Sequence, residues 1–454
     1  MRSSLMPTAP AASLCAFLAA VLLLTSCTTP APSPLSPETS VITRWQGDKI
    51  GAVSLTFDDG IITQFTVARP ILDSLGLLAT FYIITGKVEG SERGKFIGRD
   101  PELIIAETAR TPTDSTNFFE RASLIAFTGT TEAITYHSDA GARYEAGQIA
   151  KAHRLIDEAY AKLRAGTLRN TDDVVFHDNP VDTTTWDDYR AYQTAGHEIA
   201  SHTVTHPRLA VLDAPNLRYE LEQSRADIAK FLGEPATFSA EGPYGTEDER
   251  VMEFAHRVYP ALRNRMPAPY LAELNRGSRV APGSVRQEYV QWQRGPTDNT
   301  SLQAMKDWVD TTLAHDNIWL VEVLHGVDDY GWAARPAAEL REYFAYIKER
   351  EDRLWIAPFA TVTKYIRERE NSRVEERRSE DEITVHVRCT LDPAVYNVPL
   401  TLRTVVPEGW TSVQVKRSND ADAGSPLQVV RDGEGPDYVR YAVMPGERVI
   451  LVGR

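Results

Sequence analysis

Four short apolar runs in this chain stop at residues able to bind a metal or move a proton, and that coincidence constrains the fold more than any other feature. Ala52–Phe57 reads as a buried strand and ends at Asp58-Asp59-Gly60. A helical stretch follows through Val67, Ile71, Leu72 and Leu75, with Gly76 as its stop, and Ala79–Ile84 is the next strand. Strand, helix, strand in this order points to parallel pairing in an α/β fold. Further on, His197–Ala200 opens into His202-Thr203-Val204-Thr205-His206. Thr237–Ala240 precedes Gly242-Pro243-Tyr244-Gly245, and Ile318–Leu324 ends at His325. Loops at the C-terminal ends of parallel strands converge over one face, where β/α barrels place their active sites.

Between these strands the pattern is helical or irregular. Ala146–Leu163 reads as a helix inside a stretch, 87–184, that we treat as an insertion forming a wall over the site. Trp186–Ala195 is helical and stops at Gly196. Leu217, Leu221, Ile228, Phe231 and Leu232 recur at near-helical spacing before Gly233 and Pro235. Pro336–Arg350 is a helix, Leu354–Phe359 a strand, and a last helix carries Val362 and Ile366. Arg367–Glu382 is almost all charged and reads as a solvated helix end plus linker. Beyond it, Ile383–Val387, Val398–Val405, Thr411–Val415 and Tyr438–Val443 alternate at period two, the pattern of a small antiparallel β-sandwich-like domain over 380–454. Its aromatics, Trp410, Tyr438 and Tyr441, form no cluster, so packing or spacing is its expected role.

The N-terminus has its own logic. Arg2 precedes an apolar run through Leu14, Phe17, Leu18 and Val21 to Leu24, an export signal over 1–26. The run from Ala11 to Leu24 is shorter than the roughly 20 apolar residues that cross a bilayer. Leu24-Thr25-Ser26-Cys27 resembles a bacterial lipobox, which implies cleavage before Cys27, lipid on its thiol, and a membrane anchor in the cell envelope. Thr28 after that cysteine favours the outer membrane by the sorting rule for such lipoproteins. A Pro-rich tether over 27–47 follows. With Cys15 inside the signal and Cys27 lipidated, Cys389 is alone, and we read it as a strand residue.

Composition sets outer limits. A chain of 454 residues suggests more than one domain. The formal charge of -14 repels phosphate backbones, so no nucleic-acid partner is expected. Neutral or amine-bearing glycans remain compatible. There is no G-x-S-x-G elbow, P-loop or dinucleotide fingerprint.

The chemistry rests on His202 and His206, four apart and so on one face if that turn is helical. Two imidazoles and one carboxylate make a three-ligand site with an open position, as catalytic zinc requires. Asp58 and Asp59 end a buried strand, where two charges are costly unless paired or metal-bound. Neighbouring residues point different ways, so one can ligate and the other serve as base. His197 is expected to pack or hydrogen-bond inside, and His177 receives no role.

Thr56-Phe57-Asp58-Asp59-Gly60 resembles the first motif of the polysaccharide deacetylases, carbohydrate esterase family 4. Gly196 to His206 is similar to their second motif almost throughout. Pro243-Tyr244-Gly245 resembles the end of the third, and Val323-Leu324-His325-Gly326 the fifth. The resemblance spans about 49–369 and implies a distorted barrel of parallel strands and helices over 48–370. It implies Asp59, His202 and His206 as ligands of a divalent metal, usually zinc, which activates the attacking water. It implies Asp58 as general base, Tyr244 as backbone oxyanion donor and His325 as general acid. Pro243 and Trp332 are candidates for contact with an acetylated polysaccharide; Trp332 can stack on a sugar or anchor its loop.

Three departures stand out. The family's arginine two residues before the motif-three proline is Glu241 here. A glutamate there raises the pKa of Asp58, unless it points away or another cation such as Arg294 substitutes. Ile61 replaces a common proline, and no fourth motif is evident, with Trp292 and Trp308 expected in the core rather than in an acetyl pocket. The leading expectation is an N-deacetylase of amino-sugar polymers such as peptidoglycan or chitin-like chains. The alternatives are an O-acetyl esterase on acetylated xylan or an exopolysaccharide, and a glycan-binding pseudoenzyme.

Overall fold

The computed structural model describes residues 40–170, 184–246, 248–265, 271–417, 425–431, 433 and 435–454. The expected export signal, Cys27 with its lipid anchor, and His177 lie outside the described residues. Within the segment expected as tether, β1 (Ser40–Ile42) pairs antiparallel with a C-terminal strand.

Nine strands form the central sheet: β2 (Gly51–Phe57), β3 (Ala79–Ile83), β4 (Glu198–Ser201), β5 (Ser239–Ala240), β6 (Ala261–Leu262), β7 (Ala272–Leu274), β8 (Val290–Arg294), β9 (Ile318–Leu324) and β10 (Leu354–Ile356). Their order is β6-β5-β4-β3-β2-β9-β8-β7, with β10 beside the first half of β2. Every neighbouring pair is parallel, and the sheet curls into an open barrel. Strands β2 and β9 are buried at all their residues, as strands covered on both faces must be.

Period-two alternation explains where the polar residues go. On β2, Val53, Leu55 and Phe57 face a core shared with the surrounding helices, while Ala52 belongs to a second core inside the barrel. Ser54, Thr56 and Asp58 therefore follow Ala52 on the inner face. The same parity separates Leu320 and Leu324 from Trp319 and Val321, and carries His325 inward from β9. It sends Glu198, Ala200 and His202 inward from β4, since Ile199 lies in the outer core. On β6, Ala261 is inside and Leu262 outside, so Arg263 follows inward.

The insertion is helical: Pro101–Glu107, Phe118–Ala126, Thr131–Glu145 and Ile149–Ala165. It has its own core around Phe118, Ile125, Ile156 and Tyr160. Gly141 marks a close approach, because a Cβ there would lie 2.2 Å from Cδ of Arg208, on the loop after β4.

The charged stretch after the last barrel helix, Phe359–Glu370, corrects the sequence expectation. Arg367 and Glu368 are buried rather than solvated, and Glu368 Oε1 accepts the Val398 N–H at 2.9 Å. The supposed linker is β11 (Ser372–Arg378), paired antiparallel with β12 (Glu382–Cys389). It is an edge strand, and its charges pair across the ladder, as in Glu375 with Arg388 at 2.8 Å. The remaining strands are β13 (Leu400–Val405), β14 (Ser412–Arg417), β15 (Leu427–Gln428), β16 (Tyr438–Val443) and β17 (Arg448–Gly453). They form two antiparallel sheets, β1-β13-β16 and β11-β12-β17-β14-β15. Their inner residues Val385, Leu402 and Tyr441 share one core with Trp319, Phe359 and Tyr365 of the barrel.

One polar residue breaks the outer apolar layer. Glu322, fully buried on β9, meets the Tyr343 hydroxyl, and its Oε2 has no hydrogen-bond partner. Burial pushes its carboxyl up to about 8, only partly offset by Tyr343 and Arg294. The folded chain then keeps a proton that the unfolded chain releases near 4.5, so stability falls as pH rises from there to about 8. The loss is on the order of 1 kcal/mol per pH unit inside that window. Glu322→Gln is therefore expected to flatten the decline of the thermal midpoint between pH 6 and 8; parallel profiles for the two proteins would refute this.

Candidate active site

The inner-face residues at the strand ends meet above the barrel. Asp58 continues the ladder past β2, its N–H donating to Leu324 O at 2.9 Å. Asp59 then turns away with φ 76, a left-handed conformation. Thr203, His206 and Tyr244 share that region, with φ 69, 63 and 63. Such backbone costs about 1–3 kcal/mol at each non-glycine residue and persists only where the surroundings hold it.

His202 and His206 do converge, but not on a helical turn. Residues 202–208 form an irregular loop, because Thr203 and His206 adopt left-handed φ values that break a right-handed helix. The loop is held by buried Glu220, whose carboxylate accepts the Val204 and Thr205 N–H groups at 2.8 and 2.9 Å and the Thr205 hydroxyl at 2.6 Å. The two rings end 4.7 Å apart, centroid to centroid.

Asp59, His202 and His206 each offer a ligand atom, all within 4.8 Å of one another and all from buried residues. Asp59 Oδ1 lies 3.5 Å from His202 Nε2 and 3.2 Å from His206 Nε2. Donors each about 2.1 Å from a tetrahedral ion are about 3.4 Å apart, so the two Asp59 spacings fit a small divalent cation. Asp59 Oδ1 is buried without a hydrogen-bond partner, which is costly for a carboxylate unless a cation meets it. The Nδ1 of His202 lies 3.0 Å from Glu241 O; donating its proton there leaves Nε2 free to ligate. Burial pushes the Asp59 carboxyl up, but the two imidazoles outweigh it and hold it well below the usual range.

Asp58 is clamped by an arginine absent from the sequence reading. Arg263 Nη1 and Nη2 donate to its two oxygens at 2.7 and 2.6 Å, a bidentate fork. Burial pushes Asp58 up, yet Arg263, His325 and His202 bring it below its ordinary value. Glu241 does not point away: its Oε1 lies 2.8 Å from Arg263 Nη2, and Asn264 Nδ2 donates to it at 3.0 Å. The substituting cation is thus Arg263 and not Arg294, which packs over the Trp292 ring at 4.7 Å and donates to Arg276 O.

His325 Nε2 lies 3.6 Å from Asp58 Oδ2. Its ring meets Trp332 edge-on at 4.7 Å. Burial pushes the imidazole down to about 4, against the pull of Asp58 and Asp59. Gln64 Nε2 donates to both Asp58 O and His325 O, at 2.5 and 2.9 Å, tying the two strand ends together. The Tyr244 ring sits 4.8 Å from His206, with the Arg208 guanidinium 4.4 Å over it. A cavity of about 370 Å³ joins Asp58, Asp59, His202, His206, Tyr244, His325 and Trp332, with Arg208, Gly245 and Arg276 at its walls. Pro243 is buried in the turn and is not among the lining residues. Trp292 and Trp308 belong to the helix-facing core. His197 is buried, its Nδ1 accepting the Ala79 N–H at 3.1 Å and its Nε2 2.9 Å from Asp73.

Residues 147–258, which include both imidazoles and Tyr244, match the family model described as polysaccharide deacetylase. By that match, this segment of the chain is similar to a polysaccharide deacetylase. It is also 25% identical over 263 residues to a gellan lyase of Bacillus sp, an alignment covering 54% of this chain and 10% of that protein. The chain thus spans about a tenth of that relative's length. Among solved structures, a provisionally assigned polysaccharide deacetylase from Mycobacterium smegmatis covers 75% of this chain and 98% of its own, at 13% identity and TM-score 0.35. A family 4 carbohydrate esterase from Streptomyces lividans, in complex with acetate, covers 69% and 95%, at 14% identity and TM-score 0.32. At these scores the structural likeness carries no weight, and the assignment rests on the sequence match.

Four residues at the site escaped sequence reasoning: Gln64, Arg208, Arg263 and Arg276. Arg263 follows a two-residue strand, too short for any periodicity to show. Gln64 sits within an apolar helical stretch, where only its burial reveals a role.

Proposed function

We propose that this protein is a metal-dependent N-deacetylase of an acetylated polysaccharide. The observation that carries the reading is one cavity holding an Asp59–His202–His206 cluster, with Asp58 and His325 facing each other beside it. A divalent cation held by those three residues would polarise the acetyl carbonyl and acidify a water. The chain's own groups do the rest. Asp58, kept ionised by Arg263, takes a proton from the attacking water. The Tyr244 N–H, in its left-handed turn, donates to the oxyanion that develops. His325 rests neutral because burial lowers its proton affinity; with its Nε2 3.6 Å from Asp58 Oδ2, it receives the proton that Asp58 took from the water and passes it to the leaving nitrogen, which returns Asp58 to its ionised form. An amine leaves poorly without that proton and an alkoxide more readily, so these groups meet the demand of an amide and serve an ester as well. The pseudoenzyme alternative drew on Glu241 and on the missing fourth motif; the Arg263 clamp on Asp58 answers the first of these.

The test is acetate release from N-acetylchitooligosaccharides and from acetylated xylan, before and after chelation. Release from the first, lost with chelator and restored by zinc, is the expected result. Release from xylan alone would move the reading to an ester. No release from either by zinc-loaded protein would sink both.

A further inference from the structure

Three arginines reach the cavity or its floor, and two are neutralised within the protein. Arg263 is held by Asp58 and Glu241, and Arg208 by Glu145 at 2.6 Å. Arg276 is different. It stands two residues past β7, at the same end of the sheet as the other site residues, and it lines the cavity. No carboxylate among the described residues lies within ion-pair distance of it; the Trp332 ring lies 6.0 Å from it, and His325 is close enough to feel its charge.

Its position is built. A Cβ on Gly295 would meet Arg276 Cδ at 3.2 Å, so the stem lies tight against that backbone. A Cβ on Gly245 would meet Nη2 at 3.3 Å, so the guanidinium lies over the turn that carries Tyr244. A Cβ at either place would press on the side chain by a few tenths of an ångström. The head shares the cavity wall with two aromatic residues, Tyr244 and Trp332, both partly exposed at 37% and 39% and so able to meet a sugar ring. A half-buried guanidinium with no anion is a site waiting for one, and its planar fork matches a carboxylate.

We infer that Arg276 is a specificity-determining residue that binds a carboxylate on the polysaccharide, on the sugar that lies against Trp332 or its neighbour. The inference rests on the deacetylase reading for its reaction, though not for its binding. The net charge of -14 gives no long-range attraction for a polyanion, so recognition is a contact effect inside the cavity. It is expected to survive physiological salt, because partly buried pairs are screened less than exposed ones.

The test compares full-length zinc-loaded protein and its Arg276→Gln and Arg276→Lys variants on three probes. The first is an oligosaccharide alternating N-acetylglucosamine and glucuronate. The second is the same oligosaccharide with its carboxylates reduced to alcohols. The third alternates N-acetylglucosamine with its lactyl ether, which places the carboxylate on a side chain instead of the ring. Both binding by calorimetry and acetate release are read. The expected result is a preference of about tenfold or more for one carboxylate probe over the reduced one, carried by KM. Arg276→Gln should bring that ratio near one, and Arg276→Lys should restore part of it. Which carboxylate probe is preferred identifies the source of the anion. Equal binding of charged and reduced probes by the unaltered protein would overturn the inference, as would a preference that survives in Arg276→Gln. Absent acetate release would count against the deacetylase reading alone, since the binding ratios decide the role of Arg276 by themselves.

Discussion

Arg263→Met is expected to lower the unfolding free energy by about 3–5 kcal/mol, among the largest losses a single substitution in this protein would produce. The guanidinium is 1% exposed and faces two buried carboxylates, Asp58 and Glu241. Removing it leaves both acids without their counter-charge in a site from which water is largely excluded. One of them must then protonate, and Asp58 would cease to be a reliable base near neutral pH. A denaturant titration reads the stability, and the pH profile of acetate release reads the base. Because Thr56 Oγ1 and the Asp58 oxygens all lose donors together, the loss should shrink in Arg263→Met combined with Glu241→Gln. If Arg263→Met unfolds like the unaltered protein, the clamp is not what holds Asp58.

Asp58→Asn should instead leave the protein folded and able to bind zinc, while acetate release falls by about 10²–10⁴-fold, the usual contribution of a general base. The amide keeps the shape of the side chain, and Arg263 retains Glu241 as its partner. The three ligating residues are untouched, so metal content measured on the purified variant should match that of the unaltered protein. Asp59→Asn gives the contrast, with metal and activity lost together. An Asp58→Asn variant that keeps its turnover would remove the base from the mechanism and with it the division of labour between the adjacent aspartates.

The meeting of these acids and imidazoles at one end of the sheet was legible in the chain before any coordinates. An apolar strand ending in two aspartates, a histidine pair, and a histidine after a second apolar strand sit in the order and at the strand ends that a parallel sheet brings together. Alternation along β2, β4 and β9 places Asp58, His202 and His325 on one face, because period two is a property of the strand itself. The helix-like reading of the histidine pair went wrong for a local reason. Four-residue spacing fits a helical turn, but Thr203 and His206 take left-handed φ values in a loop held by Glu220, which reaches it from the helix that follows, Ala214–Leu232.

What the order of residues determined by itself was the repeat of strand and helix, the register of inward-facing groups on the long strands, and the identity of the acids and imidazoles at their ends. Those are local consequences of backbone geometry and side-chain chemistry, and they need no partner to be read. Only the tertiary structure decided which cation balances Asp58, because Arg263 lies 205 residues away on a strand too short to carry a pattern. It also decided that a charged run would be an edge strand and that Arg276 would stand in the cavity with no acid among the described residues within ion-pair reach. Charge compensation depends on which groups are adjacent in space, and closing the sheet is what makes them adjacent.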